Sequence, residues 1–190
     1  YLSMMPNMTV LAPKNDRELE EMLAFAVSFD GPIAIRYPRG SAHQGLQEYQ
    51  APVEYGRSEI IRKGKKIAVL GVGSMIPSCM EICKGLKDDG YDPTFVNARF
   101  VKPLDVDLLD ELAKDHSLFV TVEENVKSGG YGEHVSAYME ACHPEIRVLS
   151  AAVWDRFVPQ GNVESLRSRI GLGVEDIRQA IEDSEELREQ

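Results

Sequence analysis

Hydrophobic residues in the second half of the chain form short continuous runs, which alternate with stretches of helical spacing. Continuous runs of this kind are typical of strands that are buried on both faces of a sheet. The predicted strands cover residues 67–70, 94–96, 118–122 and 146–149, and the predicted helices cover 77–86, 105–113 and 131–142. Strands and helices that alternate in this way predict an α/β fold, with a mostly parallel sheet covered by helices.

The beginning of the chain predicts a separate strand–helix–strand unit. Residues 8–12 read as a strand, and residues 32–37 read as a second one that follows the turn signal at Gly31-Pro32. Between them, apolar residues recur at helical spacing, so we predict a helix that begins at Asn15 or Asp16 and ends near Ser28. We expect the rest of the sheet that this unit needs to be missing from the sequence.

A domain boundary is predicted near Gly56. The preceding residues, 41–55, contain Gly and Pro without strong periodicity and are interpreted as a linker. An edge strand is predicted at 58–62, and two acidic helices are predicted at 163–169 and from 174 to about 187. The chain is therefore divided into residues 1–55 and residues 56–190.

Composition excludes several classes of function. The 190 residues carry a net charge of −10, which argues against binding to nucleic acid or to an anionic membrane. No apolar run approaches the roughly 18 residues that span a bilayer. Cys79, Cys83 and Cys142 lack the spacing of a zinc site and are interpreted as reduced thiols, so we expect a cytoplasmic protein.

Two arginines follow the predicted strand at 32–37 and are the best candidates for ligand binding. Arg36 and Arg39 lie at or just beyond the carboxyl end of the strand, the edge where α/β sheets bind ligands. Pro38 ends the strand, and Gly40 allows the backbone to approach a bound group closely. Because a guanidinium offers a fixed fork of donors, this corner predicts an anion site for phosphate or carboxylate.

Three other motifs permit a functional and a structural interpretation. The segment Gly71–Ser74 is half of a dinucleotide fingerprint, but it lacks the third glycine, so a tight turn is favoured. The adjacent carboxylates Glu123 and Glu124 point to opposite faces of a strand, which favours a structural or interface role over acid–base catalysis. The segment Gly129–Gly132 either cradles an anion at a helix N-terminus or shapes a turn.

Short motifs in a fixed order extend along nearly the whole chain. They are Tyr1-Leu2, Pro6-Asn7-Met8, Ala12-Pro13, Asp30-Gly31-Pro32, Arg36-Tyr37-Pro38-Arg39-Gly40, Arg99-Phe100-Val101-Lys102-Pro103-Leu104-Asp105, Val122-Glu123-Glu124-Asn125 and Phe157-Val158-Pro159-Gln160-Gly161. In this set and order the chain resembles the C-terminal portion of the 1-deoxy-D-xylulose-5-phosphate synthase family, thiamine-diphosphate enzymes related to transketolase.

The resemblance implies a fold and an activity. Residues 56–190 would form a transketolase C-terminal-type domain, and residues 1–55 would be the tail of a pyrimidine-binding α/β domain with its linker. The family condenses pyruvate with D-glyceraldehyde 3-phosphate and releases carbon dioxide, in precursor synthesis for non-mevalonate isoprenoids, thiamine and pyridoxal. The Arg that matches Arg39 binds the phosphate of the aldehyde, and Arg36 is a second candidate for that contact.

The family's thiamine diphosphate and magnesium are bound by motifs that this sequence does not contain. The resemblance therefore implies no catalytic, metal-binding or cofactor-binding residue in this chain. We expect the chain alone to be inactive, with the rest of a parent chain and a second copy, in a homodimer, as its partners. The apolar start at Tyr1-Leu2, without an initiator Met, also indicates a fragment.

Two alternatives belong to other classes. The chain could be the noncatalytic C-terminal subunit of a split transketolase or of an enzyme like the 2-oxoacid dehydrogenases, with a role in assembly. It could also be a small regulatory domain that binds a nucleotide at Gly71–Gly73.

Overall fold

A computed structural model describes the backbone of residues 1–186 and the side chains of residues 1–184. The strands are β1 (Thr9–Leu11), β2 (Ile33–Ile35), β3 (Glu59–Arg62), β4 (Lys66–Gly71), β5 (Thr94–Asn97), β6 (Phe100–Lys102), β7 (His116–Val126) and β8 (Arg147–Val153). The helices are α1 (Asp16–Ser28), α2 (Ile76–Asp88), α3 (Val106–Leu112), α4 (Tyr131–Cys142), α5 (Val163–Arg169) and α6 (Val174–Glu186). Among these helices, none has both the length and the apolar character needed to cross a membrane.

The main sheet has five strands in the order β3-β5-β4-β7-β8. Neighbouring strands in this sheet run parallel to each other, except that β3 at one edge pairs antiparallel with β5. The central strand β4 is buried from Ile67 to Leu70, because helices pack on both faces of the sheet. One apolar cluster includes Phe119 and Met139, and the other, on α2 and α6, includes Ile82 and Ile177. The predicted mostly parallel α/β fold is confirmed.

A second sheet has three strands in the order β2-β1-β6. Strand β1 pairs parallel with β2, and Leu11 on its other side faces Phe100 of the antiparallel strand β6. The sequence did not predict β6, since three residues before Pro103 are too few to show an alternating pattern. The expectation that the first unit finds no further sheet within this chain is therefore wrong at one edge of β1.

Several predicted elements are longer in the structure than their apolar runs. Strand β7 continues to Val126 and β8 continues to Val153, each four residues beyond its predicted end. In β7 the extra residues include the buried Glu123 and the half-buried Glu124, which are held by hydrogen bonds that an apolar pattern does not reveal. The predicted end of the last helix near residue 187 lies outside the described residues.

A buried network of charged side chains joins the beginning of the chain to the main sheet. The ammonium of Lys14 lies 3.0 Å from a carboxylate oxygen of Glu18 and 2.8 Å from one of Glu59. The guanidinium of Arg99 lies 2.7 Å from Glu18 and 3.3 Å from Glu59, and the Asn97 amide donates to both carboxylates. All four charged side chains are at most 3% exposed. Two cations and two anions therefore balance each other where the two sheets meet.

Candidate anion-binding site

The loop that carries Arg39 is fixed at both ends. At its start, the backbone N–H of Arg36 donates to the carbonyl of Leu11 at 2.8 Å and continues the pairing between β1 and β2. At its end, the Asn15 amide, which also caps α1, donates to the carbonyl of Gly45 at 3.0 Å. Between these anchors the chain passes through Pro38, and Gly40 adopts φ = +127°, a conformation that other residues rarely take. The loop therefore presents Arg39 from a supported backbone.

Arg39 lies on the wall of a cleft of about 590 Å³. The cleft is lined by the loop of Arg39 and the start of α1, and also by Ser74, Glu124 and Arg167 from the main sheet and the elements packed on it, which we call the main-sheet domain. Its charged lining residues include the cations Lys14, Arg39 and Arg167 and the carboxylate Glu124. The carboxyl end of β2 thus opens onto a cleft in which cationic side chains outnumber anionic ones.

The two candidate arginines have different surroundings. The Arg36 guanidinium donates to the backbone carbonyl of Glu124 at 3.0 Å and so connects the first part of the chain to β7. Arg39 is exposed, and its side chain makes no hydrogen bond or ion pair with the residues that the structure describes. Lys14, the other cation on the same side, is neutralised within the buried network. On this side of the cleft, Arg39 is the guanidinium that is available to a ligand.

Glu124 organises the opposite wall of the cleft. Its carboxylate accepts two hydrogen bonds from Arg167, at 3.2 and 3.1 Å, and one from the Ser74 hydroxyl at 2.9 Å. Burial alone would raise the pKa of Glu124, but the hydrogen bonds from Arg167 and Ser74 and the charge of Arg167 hold this pKa below its ordinary value. The group is therefore an anion at neutral pH that fixes Arg167 against β7.

Glu123 faces a different environment, as the alternation of side chains along a strand predicts. It is 1% exposed, and its carboxylate accepts the backbone N–H groups of Tyr131 at 3.0 Å and Gly132 at 2.8 Å. The glycine segment at the start of α4 therefore binds an anion that the protein itself supplies. The interpretation of Glu123 and Glu124 as structural carboxylates agrees with these contacts.

The segment from Gly71 to Gly73 is a tight turn between β4 and α2. A Cβ on Gly71 would lie 2.7 Å from Cδ1 of Ile76 and 2.8 Å from Sγ of Cys79. Gly73 has φ = +53°, and a Cβ there would lie 3.2 Å from the Cβ of Ala12. Close packing within the turn therefore accounts for both glycines, and the geometry favours the interpretation as a tight turn.

The chemistry of the described side chains does not fit a metal-bound diphosphate. Among residues 1–184, no group of three His, Cys, Asp or Glu side chains is placed to hold a metal ion. No step of a thiamine-dependent reaction is therefore assigned to residues of this chain.

Arg167 and Lys14 line the cleft, although the sequence did not single them out. Arg167 meets Glu124 across 43 residues of sequence. No local motif marks such a pair, because it forms only when α5 packs beside the end of β7. Lys14 follows Pro13 immediately, and its position after β1 was a usable signal, since ligands bind at carboxyl ends of strands.

Comparisons with known proteins identify the class of this domain. Residues 56–177 match the family described as "Transketolase, C-terminal domain", and the chain belongs to this family. A split gene transketolase, described as an "inactive beta4 tetramer", superimposes with a TM-score of 0.86 at 27% identity, over 96% of this chain and 58% of that one. Transketolase from Campylobacter jejuni shares the fold, with a TM-score of 0.67 at 17% identity, over 96% of this chain and 27% of that one.

Curated relatives specify the resemblance further. The 1-deoxy-D-xylulose-5-phosphate synthase of Lachnoclostridium phytofermentans is 44% identical over 178 residues, which are 93% of this chain and 28% of that enzyme. The synthase of Dictyoglomus thermophilum is 40% identical over 182 residues, 95% of this chain and 29% of the relative. The chain thus spans less than a third of the length of these relatives. The predicted resemblance to the C-terminal portion of this synthase is confirmed.

Proposed function

We propose that this chain is the C-terminal part of a 1-deoxy-D-xylulose-5-phosphate synthase, and that Arg39 binds the phosphate of D-glyceraldehyde 3-phosphate. The complete enzyme joins this aldehyde to pyruvate with loss of carbon dioxide. The identity to curated synthases along nearly the whole chain supports the reaction. The observation that supports the role of Arg39 is that its guanidinium lies on the wall of the cleft at the end of β2 and makes no hydrogen bond or ion pair with the described residues.

In this proposal, residues 1–55 are the tail of the pyrimidine-binding domain and residues 56–190 are the transketolase C-terminal domain. The start of the family match at residue 56 supports the boundary. Thiamine diphosphate and magnesium belong to the complete enzyme, with their ligands outside this chain. The partners of the chain are then the rest of the enzyme and a second copy in a homodimer, and the chain alone has no synthase activity.

The complete enzyme with Arg39→Ala tests the assignment. We expect a Michaelis constant for glyceraldehyde 3-phosphate that is raised by one to two orders of magnitude, and a nearly unchanged constant for pyruvate. A hydrogen bond to a charged group contributes about 1.5–3 kcal/mol, and only one of the two substrates carries a phosphate. Turnover should fall less than affinity, because the phosphate lies away from the reacting carbons. Arg39→Lys should recover part of the loss, since it keeps the charge but not the fork.

Arg36→Ala is the matched control, because Arg36 lies three residues away and is held by the Glu124 carbonyl. We expect this variant to lower stability more than substrate affinity. Equal effects of Arg39→Ala on both substrate constants, or a phosphate-specific effect in Arg36→Ala alone, would contradict the assignment to Arg39.

A second candidate function is assembly: a noncatalytic C-terminal subunit of a split enzyme. Its support is the similarity to the split gene transketolase, since this chain covers a larger share of that protein than of the synthases. In this case the chain would act only beside a separate catalytic partner. The two candidates share the fold and differ in whether the catalytic residues lie on the same polypeptide.

A further inference from the structure

We infer that residues 154–169, which we call the strap, open and close one side of the cleft, and that the ion pair of Arg167 with Glu124 is the latch that holds them closed. The strap consists of the loop after β8 and of helix α5. The inference goes beyond the proposed function and does not depend on the reaction or on the ligand, because it concerns how the chain itself closes the cleft.

Both ends of the strap are anchored in the main-sheet domain. At its start, the carbonyl of Val153, the last residue of β8, accepts the backbone N–H of Lys127 at 2.8 Å. The Lys127 ammonium also lies 4.9 Å from the centroid of the Trp154 ring. Beyond the end of the strap, Leu172 is buried in the apolar cluster of α2 and α6. The strap therefore begins and ends at fixed points.

Between these anchors the strap is hardly buried. Residues 154–165 are all exposed, Phe157 completely so, and α5 contains no buried residue. Segments with few buried apolar contacts open at a much smaller cost in free energy than the unfolding of a whole domain. The strap can therefore move away from the main-sheet domain while the core stays folded.

Helix α5 also borders two open spaces. Its residues Val163 and Arg167 line the cleft that contains Arg39. The same two residues line a groove of about 680 Å³, together with Ser78 and Glu81 of α2 and residues at the start of α6. Open space rather than packed side chains therefore surrounds much of the helix, which gives it room to move.

One ion pair joins the strap to the strand beside it. Arg167 donates to the two carboxylate oxygens of Glu124 at 3.2 and 3.1 Å. Among residues 1–184, no other side-chain hydrogen bond or ion pair connects the strap to the chain before it. The pair is therefore the one polar side-chain contact that must break before α5 can leave the wall of the cleft.

Glu124 is the fixed half of this latch, and Arg167 is the half that moves. The Glu124 carboxylate also accepts the Ser74 hydroxyl at 2.9 Å, and its backbone carbonyl accepts the Arg36 guanidinium at 3.0 Å. These contacts hold Glu124 in place when Arg167 leaves. Because Val163 lies on the same helix, it leaves the wall with Arg167, and the cleft opens at this side.

Hydrogen exchange of the 190-residue chain, followed by mass spectrometry, tests the latch. Arg167→Ala should speed the exchange of the α5 amides about fivefold, as expected for the loss of a partly exposed ion pair, and leave the exchange of α4 unchanged. Arg169→Ala is the matched control, because it makes the same change on the same helix at an exposed residue that does not line the cleft. It should leave the exchange of both helices unchanged.

A thiol placed inside the cleft measures access. Leu19 of α1 is half-buried and lines the cleft, so Leu19→Cys provides this thiol in the unaltered chain and in the Arg167→Ala chain. Arg167→Ala should speed the reaction of this thiol with a bulky maleimide about fivefold. The exposed Cys142 is the internal reference for the reagent. Because Leu19→Cys is present in both chains, its own effect on the structure cancels.

Three results would each overturn the inference. The first is an exchange rate of α5 that is the same in Arg167→Ala, Arg169→Ala and the unaltered chain. The second is an equal acceleration in α4, because the chain would then unfold as a whole. The third is an unchanged reaction of the thiol in the cleft despite faster exchange of α5. None of these measurements uses a substrate, so such a failure leaves the proposed function to its own kinetic test.

Discussion

Replacing Glu59 by Gln tests whether the buried charge network holds the two sheets together. Glu59 accepts from Lys14 at 2.8 Å and lies 3.3 Å from Arg99, and its side chain is 3% exposed. Glutamine keeps the size of the side chain and a carbonyl acceptor, but it removes one of two negative charges. The buried network would then contain two cations and one anion.

The expected loss of stability is large for a single substitution. Removing one partner of a buried ion pair costs about 3–5 kcal/mol, because the remaining charge is left uncompensated away from water. In domains of this size the temperature midpoint of thermal unfolding shifts by about 2–4 °C for each kcal/mol, so this midpoint should fall by about 6–20 °C. Such a loss is a substantial part of the roughly 5–15 kcal/mol that stabilises an ordinary domain.

Urea unfolding followed by circular dichroism measures the loss in the free energy of unfolding. Arg17→Ala is the control, since it removes an ion pair, that of Arg17 with Glu21 on α1, whose side chains are 44% and 34% exposed. Its loss should be about 0.3–0.5 kcal/mol. If Glu59→Gln cost no more than Arg17→Ala, the network would not be a main connection between the sheets.

Two further predictions concern acid stability and association. Burial raises the pKa of Glu59, but the contacts with Lys14, Arg99 and Asn97 lower it, and the net pKa lies below the ordinary 4.5. The ionised carboxylate therefore stabilises the fold above pH 4.5, and this contribution is lost as the pH falls through the pKa of the folded state. Urea unfolding between pH 7 and pH 3.5 should show this loss, and Glu59→Gln should flatten the dependence. The isolated chain should form dimers or larger assemblies, because β2 ends its sheet and α1 leaves Leu23 and Val27 51% and 90% exposed. A strict monomer in light scattering, together with slow amide hydrogen exchange over residues 1–40, would contradict this prediction.

The main sheet could be predicted from the sequence because its strands are buried on both faces. Strand β4 consists almost entirely of apolar residues, so neither its type nor its position depends on distant partners. Strand β6 could not be predicted in this way. It has three residues, and it is a strand only because β1 lies beside it, about 90 residues away in sequence. Short strands of this kind are determined by tertiary pairing more than by local preference.

The candidate site was predictable in part for the same physical reason. Arg39 lies next to a proline and a glycine after a predicted strand, and these are local signals. The pairing of Arg167 with Glu124 has no local signal, because this contact joins a seven-residue helix to the end of a long strand. The alternation of side chains along the strand favoured separate, structural roles for Glu123 and Glu124, but it could not show which donors each carboxylate meets.

The location of the cleft bears on what the main-sheet domain contributes. Arg39 comes from the first part of the chain, whereas Glu124 and Arg167 come from the second, and the Arg36 guanidinium bound to the Glu124 carbonyl holds the walls together. A cleft between two such walls changes shape whenever one part moves against the other. The buried network of Lys14 and Glu59 also links the two parts of the chain, and Lys14 lines the cleft, so we expect substitutions in the network to change both stability and the phosphate affinity of the cleft.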